Sequence, residues 1–135
     1  MNGVFVDTGG WYAAVARKDR DHDAARRFLE NNSLPLLTTD YVMDETVTLL
    51  QARLGHDHAV RFLDGLQASR LIRLAYLTPA QIEEAITLFR NRPDKEWSFT
   101  DCSSFVFMWE CRLQIAFAFD EHFRQAGFQT RPETN

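Results

Sequence analysis

The chain has 135 residues, 45% of them hydrophobic and 25% charged, which suits one soluble domain that buries about two-thirds of its unfolded surface in a single core and needs no covalent staple. A formal net charge of −4 and a pI near 5.5 argue against nucleic-acid binding through bulk charge, although not against an enzyme that acts on nucleic acid. No stretch approaches the length of a membrane span, and the N-terminus lacks a basic region followed by an apolar core, so no membrane association and a cytoplasmic location are expected.

Cys102 and Cys111 fall nine positions apart on one predicted helix, a separation of about 13.5 Å, so they cannot pair with each other and read as reduced core thiols. Basic residues gather at Arg17, Lys18, Arg20, Arg26 and Arg27, which suits either a solvated helix face or one that tracks phosphates.

Val4-Phe5-Val6 is an apolar run that stops at Asp7 and is followed by Thr8, Gly9 and Gly10. It predicts a buried strand with an acid at its tip. Ile115 to Phe119, followed by Asp120, repeats that design near the other end. Parallel strands buried on both faces read as continuous apolar runs, and ligands of open α/β sheets sit beyond the carboxyl ends of the strands. Asp7 and Asp120 would then face one crevice. If the two strands are neighbours, their backbones lie about 4.8 Å apart, and carboxylates that close repel unless a cation holds them together.

Thr8 is placed to cap a first helix through Trp11, Tyr12, Ala14 and Val15, which the polar run from Lys18 to Arg20 ends. Asp21 opens a second helix, with Ala24, Ala25, Phe28 and Leu29 on one face, and Leu34 to Thr38 follows as a short strand. A third helix runs from Asp40 to Gly55. Its apolar arc of Val42, Met43, Thr46, Leu49, Leu50 and Leu54 directs Glu45 toward the crevice rim and leaves Asp44 on the polar side. Asp57 to Leu66 predicts a fourth helix with Ala59, Val60, Leu63 and Leu66 inward, and Leu71 to Ala75 a strand.

Thr78-Pro79-Ala80-Gln81 combines an N-cap, Pro at the first helical position and a capping-box Gln, ahead of a stripe of Ile82, Ala85, Ile86 and Phe89. After a charged loop from Asn91 to Trp97, Ser98-Phe99-Thr100-Asp101 opens a helix that is apolar nearly all round from Cys102 to Trp109. Such a helix is enclosed by the sheet on one side and by something else on the other, a second subunit being one candidate. The Ile115 to Phe119 strand, a short helix over Glu121 to Ala126, an edge strand over Gly127 to Thr130 and a frayed tail from Arg131 complete the chain. The alternation predicts a single α/β domain over residues 1–135, with a parallel sheet, right-handed crossovers and helices on both faces.

Four acids stand out: Asp7 and Asp120 at strand ends, Glu45 on the third helix and Asp101 in the first turn of a later one. Each has a local explanation. Asp101 can satisfy amides at a helix start, Asp120 can cap the next helix, and Glu45 can be a rim residue. Together they lie at one end of the predicted sheet, and clustered hard oxygen ligands suit Mg²⁺ or Mn²⁺, ions that activate water and neutralise a phosphate undergoing in-line displacement. His22 at a helix start suits a local hydrogen bond better than catalysis. His56, His58 and His122 lack zinc-ligand spacing with one another.

The residues resemble the PIN-domain ribonucleases, and more narrowly the VapC-type toxins of toxin–antitoxin pairs. The matching pieces are Val6-Asp7-Thr8, Thr39 to Glu45, Ser98 to Phe105, and Phe119 to Phe123 with Gly127-Phe128, which span nearly the whole chain. The resemblance implies a three-layer α/β/α sandwich with strand order 3-2-1-4-5 and a Mg²⁺- or Mn²⁺-dependent endoribonuclease. It implies that Asp7 and Asp101 hold the metal, that Glu45 and Asp120 complete an acidic catalytic pocket, and that Thr8 and Thr100 support a bound water or phosphate oxygen. An RNA substrate, a small antitoxin that inserts Arg or Lys among the acids, and a homodimer are the partners expected. The Gly9-Gly10 pair, where the family more often has Ser or Ala, is expected to loosen the first helix start.

Other α/β folds fit less well. A haloacid-dehalogenase-type phosphatase needs a second Asp where Gly9 stands, a receiver domain needs an acidic pair and a late Lys, and no glycine-rich phosphate loop is present. The remaining alternative is a catalytically inactive scaffold of the same fold that binds a protein or DNA. A scaffold of that kind has no reason to bind Mn²⁺.

Overall fold

A computed structural model describes residues 2–133. Twelve elements follow one another: β1 (Val4–Val6), α1 (Thr8–Val15), α2 (His22–Asn31), β2 (Leu36–Thr39), α3 (Asp40–Leu54), α4 (His56–Ala68), β3 (Ile72–Ala75), α5 (Pro79–Asn91), α6 (Phe99–Cys111), β4 (Ile115–Phe117), α7 (His122–Gln125) and β5 (Gln129–Arg131). The strands pair in parallel in the order β3-β2-β1-β4-β5, so the expected sandwich and strand order are present.

Right-handed crossovers require α1 to α4 on one face, because β1, β2 and β3 advance in one direction, and α5 to α7 on the other, because the chain then returns across β1. The aromatic contacts agree. Phe5 of β1 meets Phe107 of α6 and Phe123 of α7 with ring centroids 5.9 and 6.0 Å apart, while Phe117 of β4 meets Phe28 of α2 at 4.7 Å. Val4, Phe5 and Val6 are all buried, which is why β1 carries no polar alternation.

The order of strands positions the site. β1 sits between β2 and β4, in register Val4↔Leu36 on one side and Val6↔Phe117 on the other. The sheet reverses direction of travel at β1 and β4, so their carboxyl ends open the crevice typical of such folds. Asp7 follows β1 directly and its N–H donates to the Phe117 carbonyl at 3.2 Å.

Several local expectations change. The residue flanking α1 is Asp7, not Thr8, which already lies inside the helix. Gly10 does not loosen that helix: a Cβ there would stand 2.6 Å from the Phe117 carbonyl oxygen, so glycine is what lets α1 approach β4. β4 stops at Phe117, and Asp120 lies three residues further on, in the turn before α7. On α4 the inward residues are Ala59, Phe62 and Leu66, and Val60 is exposed; Phe62 packs against the Trp11 ring, 5.6 Å between centroids. Phe89 of α5 is exposed too, lying edge-on to Phe99.

α6 is buried from Asp101 to Met108. Its second covering comes from within the chain, since Phe105 packs on Trp97, Phe123 and Phe128. Trp109, by contrast, is 47% exposed. Arg131, expected in a frayed tail, pairs with Phe117 in β5; Met1, Thr134 and Asn135 lie outside the described residues. Cys102 and Cys111 are free thiols, and burial, then the Asp101 charge, pushes Cys102 up to about 11. No helix among the described residues is long and apolar enough to cross a membrane.

Candidate active site

Asp7 is the centre of the acidic cluster. It has an extended backbone (φ −83°, ψ 163°) between β1 and α1 and is only 4% exposed. Its carboxyl is held well above the usual carboxylate range, first by burial and then by the charges of Asp101, Asp120 and Glu45, while the Thr8 N–H pulls the other way. Three acids from three other segments thus bear on one buried carboxyl.

Asp101 is set by a helix start. Ser98 Oγ accepts from the Asp101 N–H at 3.0 Å, and Asp101 Oδ2 accepts from the Ser98 N–H at 3.0 Å, a reciprocal capping box. The expected local explanation is therefore correct, yet incomplete. Burial raises the Asp101 pKa, and Asp120 adds to the rise, whereas the Ser98 N–H and the His122 ring lower it.

Glu45 projects half-buried from α3, beside exposed Asp44. Asp120 is the wettest of the four, its side chain 45% exposed, and Oδ1 accepts from the His122 N–H at 3.0 Å. The bond closes a turn two residues on, ahead of α7, whose N-cap residue is Glu121 and not Asp120. Thr8 Oγ1 is buried without a hydrogen-bond partner. The Thr100 carbonyl accepts from Ser103 Oγ at 2.7 Å.

His122 was missed by sequence reasoning, which weighed it only as a zinc ligand. Its Nδ1 lies 2.9 Å from Asp101 Oδ2 and 3.8 Å from Asp120 Oδ2. The one local signal was the Asp-x-His spacing at 120–122; the Asp101 partner is 21 positions away and invisible to any local pattern. His22 hydrogen-bonds the Ala13 carbonyl of α1 at 2.8 Å, a bond between two helices rather than the local one expected of it.

Among the described residues no Lys or Arg pairs with any of the four acids, and His122 is their one basic contact. No three His, Cys, Asp or Glu side chains among the described residues are arranged so that they could hold a metal ion together. Carboxylate oxygens are donors of the kind a hard divalent cation takes, one or two at a time with waters completing its shell. The donor set is all carboxylate oxygen with a hydroxyl left unpartnered at Thr8, so the residues present fit the group. An open pocket of about 750 Å³ is lined by Arg27, Phe28, Asn31 and Arg131 among others and by none of the four acids; the site is distinguished by its charge.

The same chain matches known proteins along nearly its whole length. The family model described as "PIN domain" matches residues 4–129. The "23S rRNA-specific endonuclease VapC20" of Mycobacterium tuberculosis is 35% identical over 131 residues, 96% of this chain and 99% of that protein. A "VapC ribonuclease" of Archaeoglobus fulgidus is 29% identical over 126 residues, 89% of this chain and 78% of that one. A crystal structure of the M. tuberculosis VapC20, titled a sarcin-ricin loop cleaving toxin, superposes with a TM-score of 0.89 at 33% identity, covering 93% of this chain and 96% of the other. With the strand order, the acid after β1 and the capping box of α6 already in place, these matches decide the family: the chain belongs to the PIN domains, among relatives named VapC.

Proposed function

We propose that this chain is a divalent-metal-dependent endoribonuclease, the toxin of a toxin–antitoxin pair, with Asp7, Glu45, Asp101 and Asp120 as its catalytic acids. The observation that carries the reading is the Asp7 carboxyl, buried and opposed by three other acids, with no Lys or Arg among the described residues paired to any of them. Such an arrangement is unfavourable by itself and becomes favourable around a cation. Asp7 and Asp101, both buried, are assigned as ligands of Mg²⁺ or Mn²⁺, and Glu45 and Asp120 as the outer wall, direct or through water. Once bound, the metal supplies charge neutralisation at the phosphate and an activated water.

The chain's own residues do the rest. Asp7 and Asp101 fix where the phosphate is admitted, because without a cation their charge repels it. Thr8 Oγ1, unpartnered and beside Asp7, is placed to orient a water or phosphate oxygen, and Thr100 has the same role beside Asp101. Asp120, more exposed, forms the solvent-facing side of that wall.

The purified chain, freed of any inhibitor, should cut RNA with Mg²⁺ or Mn²⁺ and stop in EDTA. Ribosomal RNA is the first substrate to test, given what the relatives are called. Full cleavage in EDTA, or by Asp7→Asn, would refute the assignment. We further assign a cytoplasmic location, supported by the free thiols, and a homodimer through the groove where Leu88 of α5 meets Val106 and exposed Trp109 of α6. A monomeric mass by light scattering at micromolar concentration would remove the dimer. The antitoxin is expected to place an Arg or Lys among the acids, where a guanidinium bridges two carboxylates; an inhibitor that leaves Mn²⁺ affinity unchanged would contradict it.

A further inference from the structure

His122 joins two of the four acids, one through its ring and one through its backbone. Nδ1 is 2.9 Å from Asp101 Oδ2, and the backbone N–H of the same residue donates to Asp120 Oδ1 at 3.0 Å. Asp101 Oδ2 also accepts from the Ser98 N–H at 3.0 Å. Two donors therefore converge on one oxygen of Asp101, which leaves Oδ1 without a partner among the described residues. A carboxylate oxygen only accepts, so the Nδ1 that faces it is the donor of this hydrogen bond.

The ring is firmly seated. Phe123, the next residue, is fully buried, its ring 6.0 Å from Phe5 and 4.9 Å from Phe105. Trp97 Nε1 donates to Gln125 Oε1 at 2.9 Å, which ties α7 to the segment that leads into α6. The hydrogen bond from His122 to Asp101 thus runs between two elements already locked together, and its geometry is set before any ligand arrives.

We propose that His122 is a positioning residue that holds Asp101 in one orientation, with Oδ2 clamped and Oδ1 presented as a single oxygen to a divalent cation, and that it links Asp101 to Asp120 through its own backbone. The inference rests on the reading of the acids as a metal site. Without the clamp, repulsion from Asp7 is free to turn Asp101 away, and the cation loses a preset ligand. Outer partners of this kind typically contribute about 10- to 100-fold in metal affinity or activity.

Three variants test it. The amide nitrogen of His122→Asn stands near the Nδ1 position, that of His122→Gln near Nε2, and His122→Ala has no donor. The first readout is Mn²⁺ affinity by calorimetric titration of the RNA-free protein, with a melt in EDTA to verify folding; the second is kcat and KM on RNA. Ala and Gln should weaken Mn²⁺ binding by about 10-fold or more and lower kcat more than they raise KM, while Asn should recover most of the affinity. Wild-type Mn²⁺ affinity in the Gln variant would overturn the clamp, as would an Asn variant that folds and binds no better than Gln. If Ala fails to fold, the Asn and Gln pair still decides. A wild type that binds Mn²⁺ but cuts no RNA, with affinity lost in Gln, would remove the nuclease reading and keep the clamp. RNA cleavage with unchanged Mn²⁺ affinity in Gln would do the reverse.

Discussion

α5 and α6 open with the same device and put it to different uses. In α5, Thr78 Oγ1 accepts from the Gln81 N–H at 3.1 Å and Gln81 Oε1 from the Thr78 N–H at 2.9 Å. In α6, Ser98 and Asp101 make the same reciprocal pair. Gln81 is neutral and its bonds are finished within four residues. Asp101 is charged, takes a third bond from His122 and lies close enough to Asp7 to raise its pKa. A capping box satisfies helix amides whichever acid or amide fills its last position; only a carboxylate in the crevice adds a ligand to it. The comparison teaches that a residue can be fully explained by local structure and still belong to an active site.

The sharpest way to break that comparison is to neutralise the acid in one box and the amide in the other. Asp101→Asn keeps an acceptor for the Ser98 N–H but loses the charge, and should lower RNA cleavage by more than about 100-fold, since outer partners of metal ligands alone contribute up to that much. Gln81→Ala should leave cleavage as it is. Comparable single-turnover rates for Asp101→Asn and wild type would put Asp101 back among purely structural caps.

The next effect is on stability with metal. At a hundred times its dissociation constant, Mn²⁺ should add about 2.7 kcal/mol, a rise in Tm of about 10 °C for a domain this size. Asp7→Asn should lose most of that rise and melt at or above the wild type in EDTA. Paired melts check both. An Asp7→Asn protein several degrees less stable in EDTA that keeps the full Mn²⁺ shift would show Asp7 to be a structural residue at the α1 start.

In EDTA the site should also leave a pH signature. Burial, followed by the neighbouring carboxylates, raises the Asp7 pKa, and burial raises that of Asp101. A group with a raised folded pKa contributes stability that is fully present below its unfolded value of about 4 and is lost as pH climbs through the folded one. Metal-free stability should therefore fall as pH rises above about 4, and more shallowly in Asp7→Asn. Denaturant melts across that range would refute the linkage if the two slopes coincide.

The smallest effect separates the boxes by their hydroxyls. Thr78→Ala and Ser98→Ala should each cost about 1 kcal/mol of stability, the usual price of an N-cap. Only Ser98→Ala should also lower cleavage, because Ser98 is half of the frame that holds Asp101. Equal activity in the two variants would mean that His122 and the Ser98 amide suffice to fix the carboxylate.

What was legible in the sequence was whatever depends on near neighbours in the chain. The apolar runs at Val4 to Val6 and from Ile115, the capping box at Thr78, the helix opening at Ser98 and the Gly55 helix stop all appear where local pattern put them, because helix caps and buried parallel strands are set by residues a few positions apart. Asp7 and Asp101 were also readable, as an acid that ends a strand and one in the first turn of a helix. Tertiary packing decided the rest. It turned Phe62 inward in place of Val60, because Trp11 offered a partner ring, and it left Phe89 in solvent. It made Gly10 a close contact with Phe117, ended β4 before Asp120, and brought His122 against Asp101 from 21 residues away. None of these follows from spacing along the chain, because each depends on which surfaces meet after β1 and β4 pair and α6 and α7 close over them.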